Sequence, residues 1–192
     1  MHTKLARYIG VVGLLTGVAA LLSGCPSPNE IVVFTDQGLD KAIRAELGNP
    51  FGFLTKTILL DLTTLDAKQR GITSLKGLEN ASNLMWLDLD TNNITDLTPL
   101  KDLQHLSVLN LDDNQIFDIS PLAGLFNLDQ LSLFSNQIGD INALVTNAAN
   151  GGLGPGDVVV LDSSTLNDYA LSVEVPALEA AGVNVVLATA AK

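Results

Sequence analysis

The sequence predicts an α/β solenoid, a right-handed coil with a parallel β-sheet on its concave face and short turns or 3-10 segments on its convex side. Three observations lead to this prediction. Residues 62–149 repeat with a period of 22 residues, each period contains the apolar–polar alternation of a short strand, and the flanking segments depart from the period. The chain has 192 residues, of which 47% are apolar, and this is enough to bury a core.

Four 22-residue units follow one another without an insertion and begin at Leu62, Leu84, Leu106 and Leu128. Positions 4 and 6 of each unit alternate with polar positions, so they predict a strand with one buried face. Such strands would stack at about 4.8 Å per coil into a parallel sheet. The predicted core columns include Leu65, Leu87, Leu109 and Leu131 at position 4, and Ile72, Ile94, Ile116 and Ile138 at position 11.

Two polar columns also recur along the repeats. Asn92, Asn114 and Asn136 occupy position 9, where the chain turns inward after the strand. An amide both donates and accepts, so these side chains predict a ladder that satisfies buried backbone groups. Aspartate recurs at position 13 and predicts Asx-type bonds to backbone amides of the outer turn. These aspartates are Asp96, Asp118 and Asp140.

The second unit reads LMWLDLDTNNITDLTPL over residues 84–100. This stretch resembles the 22-residue leucine-rich repeat of bacterial internalins. The resemblance implies a right-handed leucine-rich repeat solenoid, with four repeats over residues 62–149 and a helical N-terminal cap. It also implies protein–protein recognition, although a fold alone names no partner.

Residues 31–61 are predicted to form the helical N-terminal cap. A β run at 31–34 is followed by Asp36, which predicts a helix N-cap, and apolar residues at helical spacing continue to Gly48 and Pro50. A second short helix is expected between residues 51 and 62.

Residues 150–192 are predicted to form a degenerate repeat and a C-terminal cap. Residues 147–157 read NAANGGLGPGD and predict a glycine-rich loop. Residues 158–161 predict a fifth strand, after which Ser164 takes the place of the asparagine. A helix around residues 172–181 is expected to be interrupted by Pro176, and residues 183–187 form a last β run.

The first 24 residues predict a lipoprotein signal peptide. Lys4 and Arg7 precede an uncharged apolar run over residues 9–22, which is short for a transmembrane helix. Leu22-Ser23-Gly24-Cys25 resembles the lipobox of bacterial lipoproteins, which implies cleavage before Cys25, the only cysteine, and lipid attachment to it. Residues 25–30 would be the lipidated linker. The alternatives are a secretory signal cut elsewhere and a retained single-span anchor.

The charge balance disfavours nucleic acid as a partner. The chain carries 10 basic and 21 acidic residues, and removing residues 1–24 changes its net charge from −11 to −13. Binding to nucleic acid requires a basic surface, which this composition lacks. An acidic body is also repelled by anionic lipid, so the lipid on Cys25 is expected to provide the membrane contact.

The sequence contains no recognisable catalytic, cofactor or metal motif. His105 is the only histidine after the leader, and the glycine-rich segment lacks the Lys-Ser/Thr ending of a phosphate loop. Asp88 and Asp90 could in principle provide the paired carboxylates of glycoside hydrolysis. Asp112, Asp113 and Asn114 could offer weak calcium ligands. We predict a protein that is not an enzyme, with these acids serving mainly as solvated surface groups.

The exposed columns of the concave sheet are the predicted binding site. Trp86, the only tryptophan, and Phe134 are expected to face outward as interface anchors, with an acidic stripe between them. Position 3 extends to Val158, and position 5 extends to Val160. The alternative is that Trp86 packs under a neighbouring side chain. The predicted site comprises Trp86, Asp88, Asp90, Val108, Asn110, Asp112, Asp113, Gln130, Ser132 and Phe134.

Together these features predict a lipid-anchored, non-enzymatic module of the bacterial cell envelope that binds a protein or peptide. We expect a monomer at the outer membrane or cell surface, because Pro26 rather than aspartate follows the cysteine. The alternative is a structural or assembly lipoprotein of the envelope without a dedicated soluble ligand.

Overall fold

The computed structural model describes Ser27 and residues 30–189. The predicted signal peptide, Cys25 and most of the predicted linker therefore lie outside the described residues. The strands are β1 (Ile31–Val32), β2 (Leu54–Thr55), β3 (Thr64–Asp66), β4 (Trp86–Asp88), β5 (Val108–Asn110), β6 (Gln130–Ser132), β7 (Val158–Asp162) and β8 (Asn184–Ala188). The α-helices are α1 (Gln37–Glu46), α2 (Lys56–Leu59), α3 (Asn142–Ala149) and α4 (Val175–Ala180). None of the helices in this part of the chain is long and apolar enough to cross a membrane.

A six-stranded parallel sheet in the order β3-β4-β5-β6-β7-β8 forms one face of the solenoid. Leu65 pairs with Leu87, Leu87 with Leu109, and Leu109 with Leu131, so each of these steps spans 22 residues. The opposite side carries short 3-10 helices at Leu78–Asn80, Thr98–Leu100 and Ser120–Gly124. This architecture is the leucine-rich repeat solenoid that the sequence predicts.

One continuous core runs through the coil. The position 4 leucines and position 11 isoleucines are buried, as the period requires, because every coil directs the same columns inward. Phe34, Leu39 and Ile43 of the N-terminal segment join the same cluster, as do Leu166 and Leu178 near the C-terminus. The ends of the coil are therefore covered by apolar side chains.

The asparagine ladder is present as predicted. Asn114 accepts a hydrogen bond from Ile94 N at 3.0 Å and donates through Nδ2 to the carbonyls of Leu89 and Leu111 at 3.0 and 3.1 Å. Asn92 and Asn136 make the corresponding bonds one coil earlier and one coil later. Each amide thus links the inner turns of two adjacent coils, where water cannot reach the backbone.

The position 13 aspartates also act as predicted. Asp96, Asp118 and Asp140 each accept a hydrogen bond at 2.8 Å from the backbone amide two residues ahead, in the Asx-type geometry. The hydrogen bonds from the amide and hydroxyl of Ser120 lower the pKa of Asp118. These carboxylates therefore start the outer helices of the coils.

Position 8 of every unit adopts a left-handed backbone. Gln69, Thr91, Asp113 and Ser135 have φ angles of 55°, 55°, 50° and 55°. A β-branched residue is poorly suited to this region, whereas asparagine tolerates it.

Thr91→Asn is therefore expected to raise the free energy of unfolding by about 0.5–1 kcal/mol, because it relieves left-handed strain at an exposed position. The measurement is urea denaturation followed by circular dichroism. Thr98→Asn is the matched control, because Thr98 is exposed and does not have a positive φ. Equal effects of the two substitutions would show that the left-handed backbone at position 8 is not strained.

The N-terminal helices occur where the sequence predicts them, and Asp36 attaches them to the first coil. One carboxylate oxygen of Asp36 accepts from Leu39 N at 3.1 Å, and the other accepts from Thr73 N at 2.8 Å. Burial raises the pKa of Asp36, but the hydrogen bonds from Thr73, Leu39 and Ser74 outweigh it and hold the pKa below its usual value. The helix N-cap is thus also a contact between α1 and the repeats.

The segment after β6, the strand of the fourth repeat, differs from the prediction. Residues 147–149 are the end of α3 rather than the start of a loop. Asn147 is fully buried; its Nδ2 donates to Leu125 O at 2.9 Å and its Oδ1 accepts from Leu153 N at 2.8 Å. A side chain at Gly152 would collide with this amide. The glycine-rich loop therefore begins only after Ala149 and folds back onto a buried asparagine.

The C-terminal segment also departs from the predictions. Pro176 lies inside a continuous helical run, residues 168–180, rather than ending it. The α-helical pattern is nevertheless interrupted just before the proline, which cannot donate a backbone hydrogen bond. A π-helical stretch, Ala170–Glu174, precedes α4, and the buried Glu174 accepts a hydrogen bond from Ile141 N at 3.0 Å. Ser164 does not replace the ladder asparagine, since its hydroxyl donates to Asp162 at 2.6 Å.

Candidate functional site

A groove of about 500 Å³ lies on the sheet face of strands β4 to β7. Successive residues of a strand point to opposite faces, so the residues on either side of the buried position 4 leucines line this surface. The concave curvature brings side chains from four coils together. The lining residues are Trp86, Asp88, Val108, Leu109, Asn110, Asp112, Gln130, Leu131, Ser132, Val158 and Val160.

The apolar part of the groove consists of Trp86, Val108 and Val158 at position 3 and Val160 at position 5. Trp86 on β4 is opposite Val108 on β5, and Gln130 on β6 is opposite Val158 on β7. Trp86 is half-buried, so it neither projects freely into solvent nor lies inside the core. A tryptophan with one face accessible in a depression is a typical interface anchor.

Asp88 lies deeper than the sequence suggests. It was expected on an exposed acidic stripe, but it is only 7% exposed. Lys68 lies between two carboxylates, with Nζ 3.6 Å from Asp88 Oδ2 and 3.5 Å from Asp66 Oδ2. Asp88 Oδ1 also accepts from Asp90 N at 3.1 Å. The charge of Asp88 is therefore compensated within the protein, and both acids raise the pKa of Lys68.

Asp112 has a different environment, because its hydrogen-bond donors are neutral. Its Oδ1 accepts from the Ser132 hydroxyl at 2.6 Å and from Phe134 N at 2.7 Å. Burial raises the pKa of Asp112, these two hydrogen bonds oppose the rise, and the negative charges of Asp90 and Asp113 add to it. Ionised Asp112 is thus the groove carboxylate that would gain most from an added cation.

The raised pKa of Asp112 predicts a pH-dependent stability. A carboxylate with a raised folded-state pKa favours the folded state most below the unfolded pKa of about 3.9, and this contribution is lost as pH rises through the folded pKa. Asp112→Asn is therefore expected to unfold at a higher temperature than the parent at pH 7, and the gap should close below about pH 4. Thermal unfolding between pH 3 and pH 8 measures this.

Asp113→Asn is the control for that prediction, because it removes a neighbouring charge at an exposed position. If Asp112→Asn and Asp113→Asn shift the unfolding temperature equally at every pH, general charge repulsion rather than the burial of Asp112 is responsible.

Seven of the ten predicted site residues line this groove, and Asp90, Asp113 and Phe134 do not. The carboxylate of Asp90 accepts from the Thr91 hydroxyl at 2.9 Å, and Asp113 is an exposed residue in the left-handed turn. Phe134 is half-buried at the end of β6, where its backbone N–H holds Asp112. Two further lining residues, Val158 and Val160, come from β7, as the extended columns indicated.

The alternative chemistries gain no support from this geometry. The Asp88 carboxylate accepts from the backbone N–H of Asp90 and is mostly buried against Lys68, so the pair does not present two free carboxyl groups. No group of three or more potential metal ligands occurs in the described part of the chain. The groove offers apolar surface, amides and hydroxyls, together with one half-buried carboxylate, Asp112, whose hydrogen-bond donors are neutral.

Comparison with known proteins agrees with this architecture. A family described as leucine-rich repeat matches residues 82–138. An internalin, InlF, of Listeria monocytogenes is 27% identical, with a TM-score of 0.64 over 73% of this chain and 48% of its own. The chain has an internalin-like leucine-rich repeat fold. It spans about half the length of that internalin. No curated protein matches the chain.

A second solved structure supports the internalin-like fold alone. The functional domain of InlJ from Listeria monocytogenes is 20% identical, with a TM-score of 0.51 over 72% of this chain and 39% of its own. That domain includes a cysteine ladder. This internalin-like chain has a single cysteine and forms its inner ladder from asparagines. Leucine-rich repeats in an internalin-like fold indicate a protein-interaction module.

Proposed function

We propose that this protein is a lipid-anchored, non-enzymatic module of the bacterial cell envelope that binds a protein or peptide in its concave groove. The observation that carries the proposal is the groove itself, which is lined by Trp86, three valines and Asp112, a half-buried carboxylate bonded to neutral donors. The partner is expected to offer an apolar side chain next to a lysine or arginine.

The apolar half of the groove supports this proposal through its exposure to solvent. Val108, Val158 and Val160 are each half-buried, as is Trp86, so part of their apolar surface remains in water. Covering that surface with a partner side chain would be favourable by about 25 cal/mol per Å² of apolar area removed from water. A tryptophan near the centre of such a patch is the residue type that most often dominates binding energy.

The charged half supports the choice of a basic partner. Lys68 already neutralises Asp88, whereas burial and two neighbouring acids oppose the ionisation of Asp112. A partner cation placed against Asp112 would lower its pKa and gain a charge-assisted hydrogen bond. Binding should therefore weaken as pH falls and Asp112 takes up a proton.

We propose a lipid on Cys25 as the membrane attachment and the outer membrane or cell surface as the location. The lipobox-like sequence at residues 22–25 supports the lipid, and a second or third acyl chain would make such anchoring stable. Mass spectrometry of the mature N-terminus tests this: a chain beginning at Cys25 with a diacylglyceryl mass is expected. An unmodified mature cysteine would contradict it.

Site-specific photo-cross-linking in intact cells tests the binding function. A benzoyl-phenylalanine at Gln130, which is exposed and lines the groove, is expected to capture a discrete partner. The control is the same probe at Phe117, an exposed aromatic position outside the groove. The Gln130 product should disappear in a Trp86→Ala background.

Other outcomes of that experiment would contradict the groove assignment. Equal products from both positions, or a Gln130 product that survives Trp86→Ala, would mean that the groove is not the interface. Partners found only by co-purification with other lipoproteins, independent of Trp86, would favour a structural or assembly role instead.

A further inference from the structure

An apolar patch is exposed in the N-terminal segment, outside the groove. It consists of Val33, Phe51 and Phe53, which are 71%, 81% and 60% exposed. We call these residues the N-terminal aromatic patch. Single exposed apolar residues are ordinary, but two phenylalanines and a valine at this exposure next to one pair of strands indicate a surface that contacts something apolar.

The antiparallel pairing of β1 and β2 determines the direction of two of these side chains. Val32 pairs with Leu54 in antiparallel register, and both pack on the core. Val33 follows Val32, and Phe53 precedes Leu54. Both point to the opposite face, because side chains alternate along a strand. Their exposure therefore follows from the same pairing that buries Val32 and Leu54.

The loop that carries Phe51 is held in place by Arg44. The Arg44 guanidinium donates to Gly52 O at 3.1 Å and to Asn49 O at 3.5 Å, while its Nε bonds Asp40 at 2.8 Å. Phe51 thus belongs to a loop attached to α1. The patch is a feature of the fold that is already formed before any partner binds.

The patch begins a few residues after the proposed lipid attachment in the sequence. Ile31, the first residue of β1, follows Cys25 by six residues, a tether of at most about 20 Å. We propose that the N-terminal aromatic patch inserts into the interfacial region of the bilayer that holds the lipid anchor. This inference rests on the lipid-anchored part of the proposed function. Aromatic rings favour that region of a membrane. Amphipathic helices of peripheral proteins bury their apolar faces there, about 5–10 Å into the boundary between headgroups and acyl chains.

The charge distribution agrees with a bilayer as the occupant. Residues 30–61 contain three basic and five acidic side chains, whereas residues 62–192 contain five basic and sixteen acidic ones. The segment that carries the patch therefore has a net charge of only −2 (three basic minus five acidic side chains), so its repulsion from a membrane surface is small. Insertion there leaves the groove on strands β4 to β7 available to a partner.

Tryptophan fluorescence with brominated lipid tests the proposal on the full-length, lipid-modified chain. Trp86→Phe combined with Phe53→Trp places the only tryptophan in the patch. The matched control combines Trp86→Phe with Phe117→Trp, since Phe117 is 66% exposed but lies outside the patch. Both variants are reconstituted into phosphatidylcholine vesicles with and without dibrominated acyl chains, and vesicle flotation confirms attachment.

We expect brominated lipid to reduce the emission of the Phe53→Trp variant at least about twofold, because quenching requires insertion to acyl-chain depth. The Phe117→Trp control should be unaffected. Unquenched emission from a floating Phe53→Trp chain would overturn the insertion and leave the lipid anchor intact. A blue-shifted but unquenched emission would assign the patch to contact with a second copy of this chain, and would also overturn the insertion. Failure of the unsubstituted chain to float would reject the anchor and the insertion together.

Discussion

Asn114→Ala is expected to lower the free energy of unfolding by about 2–4 kcal/mol, because it removes the central amide of the ladder from a dry interior. Ile94 N loses its acceptor, while the carbonyls of Leu89 and Leu111 keep the bonds they receive from Asn92 and Asn136. The largest cost is thus the orphaned Ile94 amide. For a chain of this size such a loss lowers the unfolding temperature by roughly 4–16 °C, which calorimetry and urea denaturation both resolve.

Asn93→Ala is the matched control for the ladder prediction. Asn93 follows the ladder residue Asn92, is exposed, and its side-chain oxygen accepts only from Gln115 Nε2 at 3.1 Å. Its removal should change the unfolding free energy by no more than about 0.5 kcal/mol. If both variants are equally stable, water replaces the Asn114 amide and the ladder does not hold the coils together.

Trp86→Ala is expected to weaken partner binding by about 2 kcal/mol, or roughly thirtyfold in Kd, because it removes the largest apolar surface of the groove. The partner is the protein that the cross-linker at position 130 captures. Isothermal titration calorimetry with the two purified proteins gives the affinity. Phe117→Ala, which truncates an exposed aromatic residue outside the groove, should leave the affinity unchanged.

Phe134→Ala provides a second comparison that separates the two aromatic residues. The sequence pairs Trp86 with Phe134 as equivalent anchors, whereas the structure places only Trp86 in the groove. We therefore expect Phe134→Ala to weaken binding much less than Trp86→Ala. An equal loss would show that the interface extends past the end of β6, and no loss from either variant would reject the groove.

The sequence by itself was sufficient for the features that recur with the period. The buried leucine and isoleucine columns, the asparagine ladder and the Asx-type turns all occur as predicted, because each coil repeats the same local geometry and contacts its neighbour in the same way. Identical residues at one position of successive repeats therefore indicate that this position has the same environment in every coil. The N-cap at Asp36 was equally readable, since capping depends on the next few residues.

The tertiary structure alone decided what depends on contacts outside that period. From β6 to β7 and from β7 to β8 the paired residues are 28 and 26 positions apart, so the roles of Asn147, Asp162 and Glu174 could not be assigned by counting. The burial of Asp88 against Lys68 and the absence of Phe134 from the groove lining depend on side-chain contacts that the period does not specify. Periodicity specifies which face a residue occupies, whereas its depth on that face depends on the neighbours that cover it.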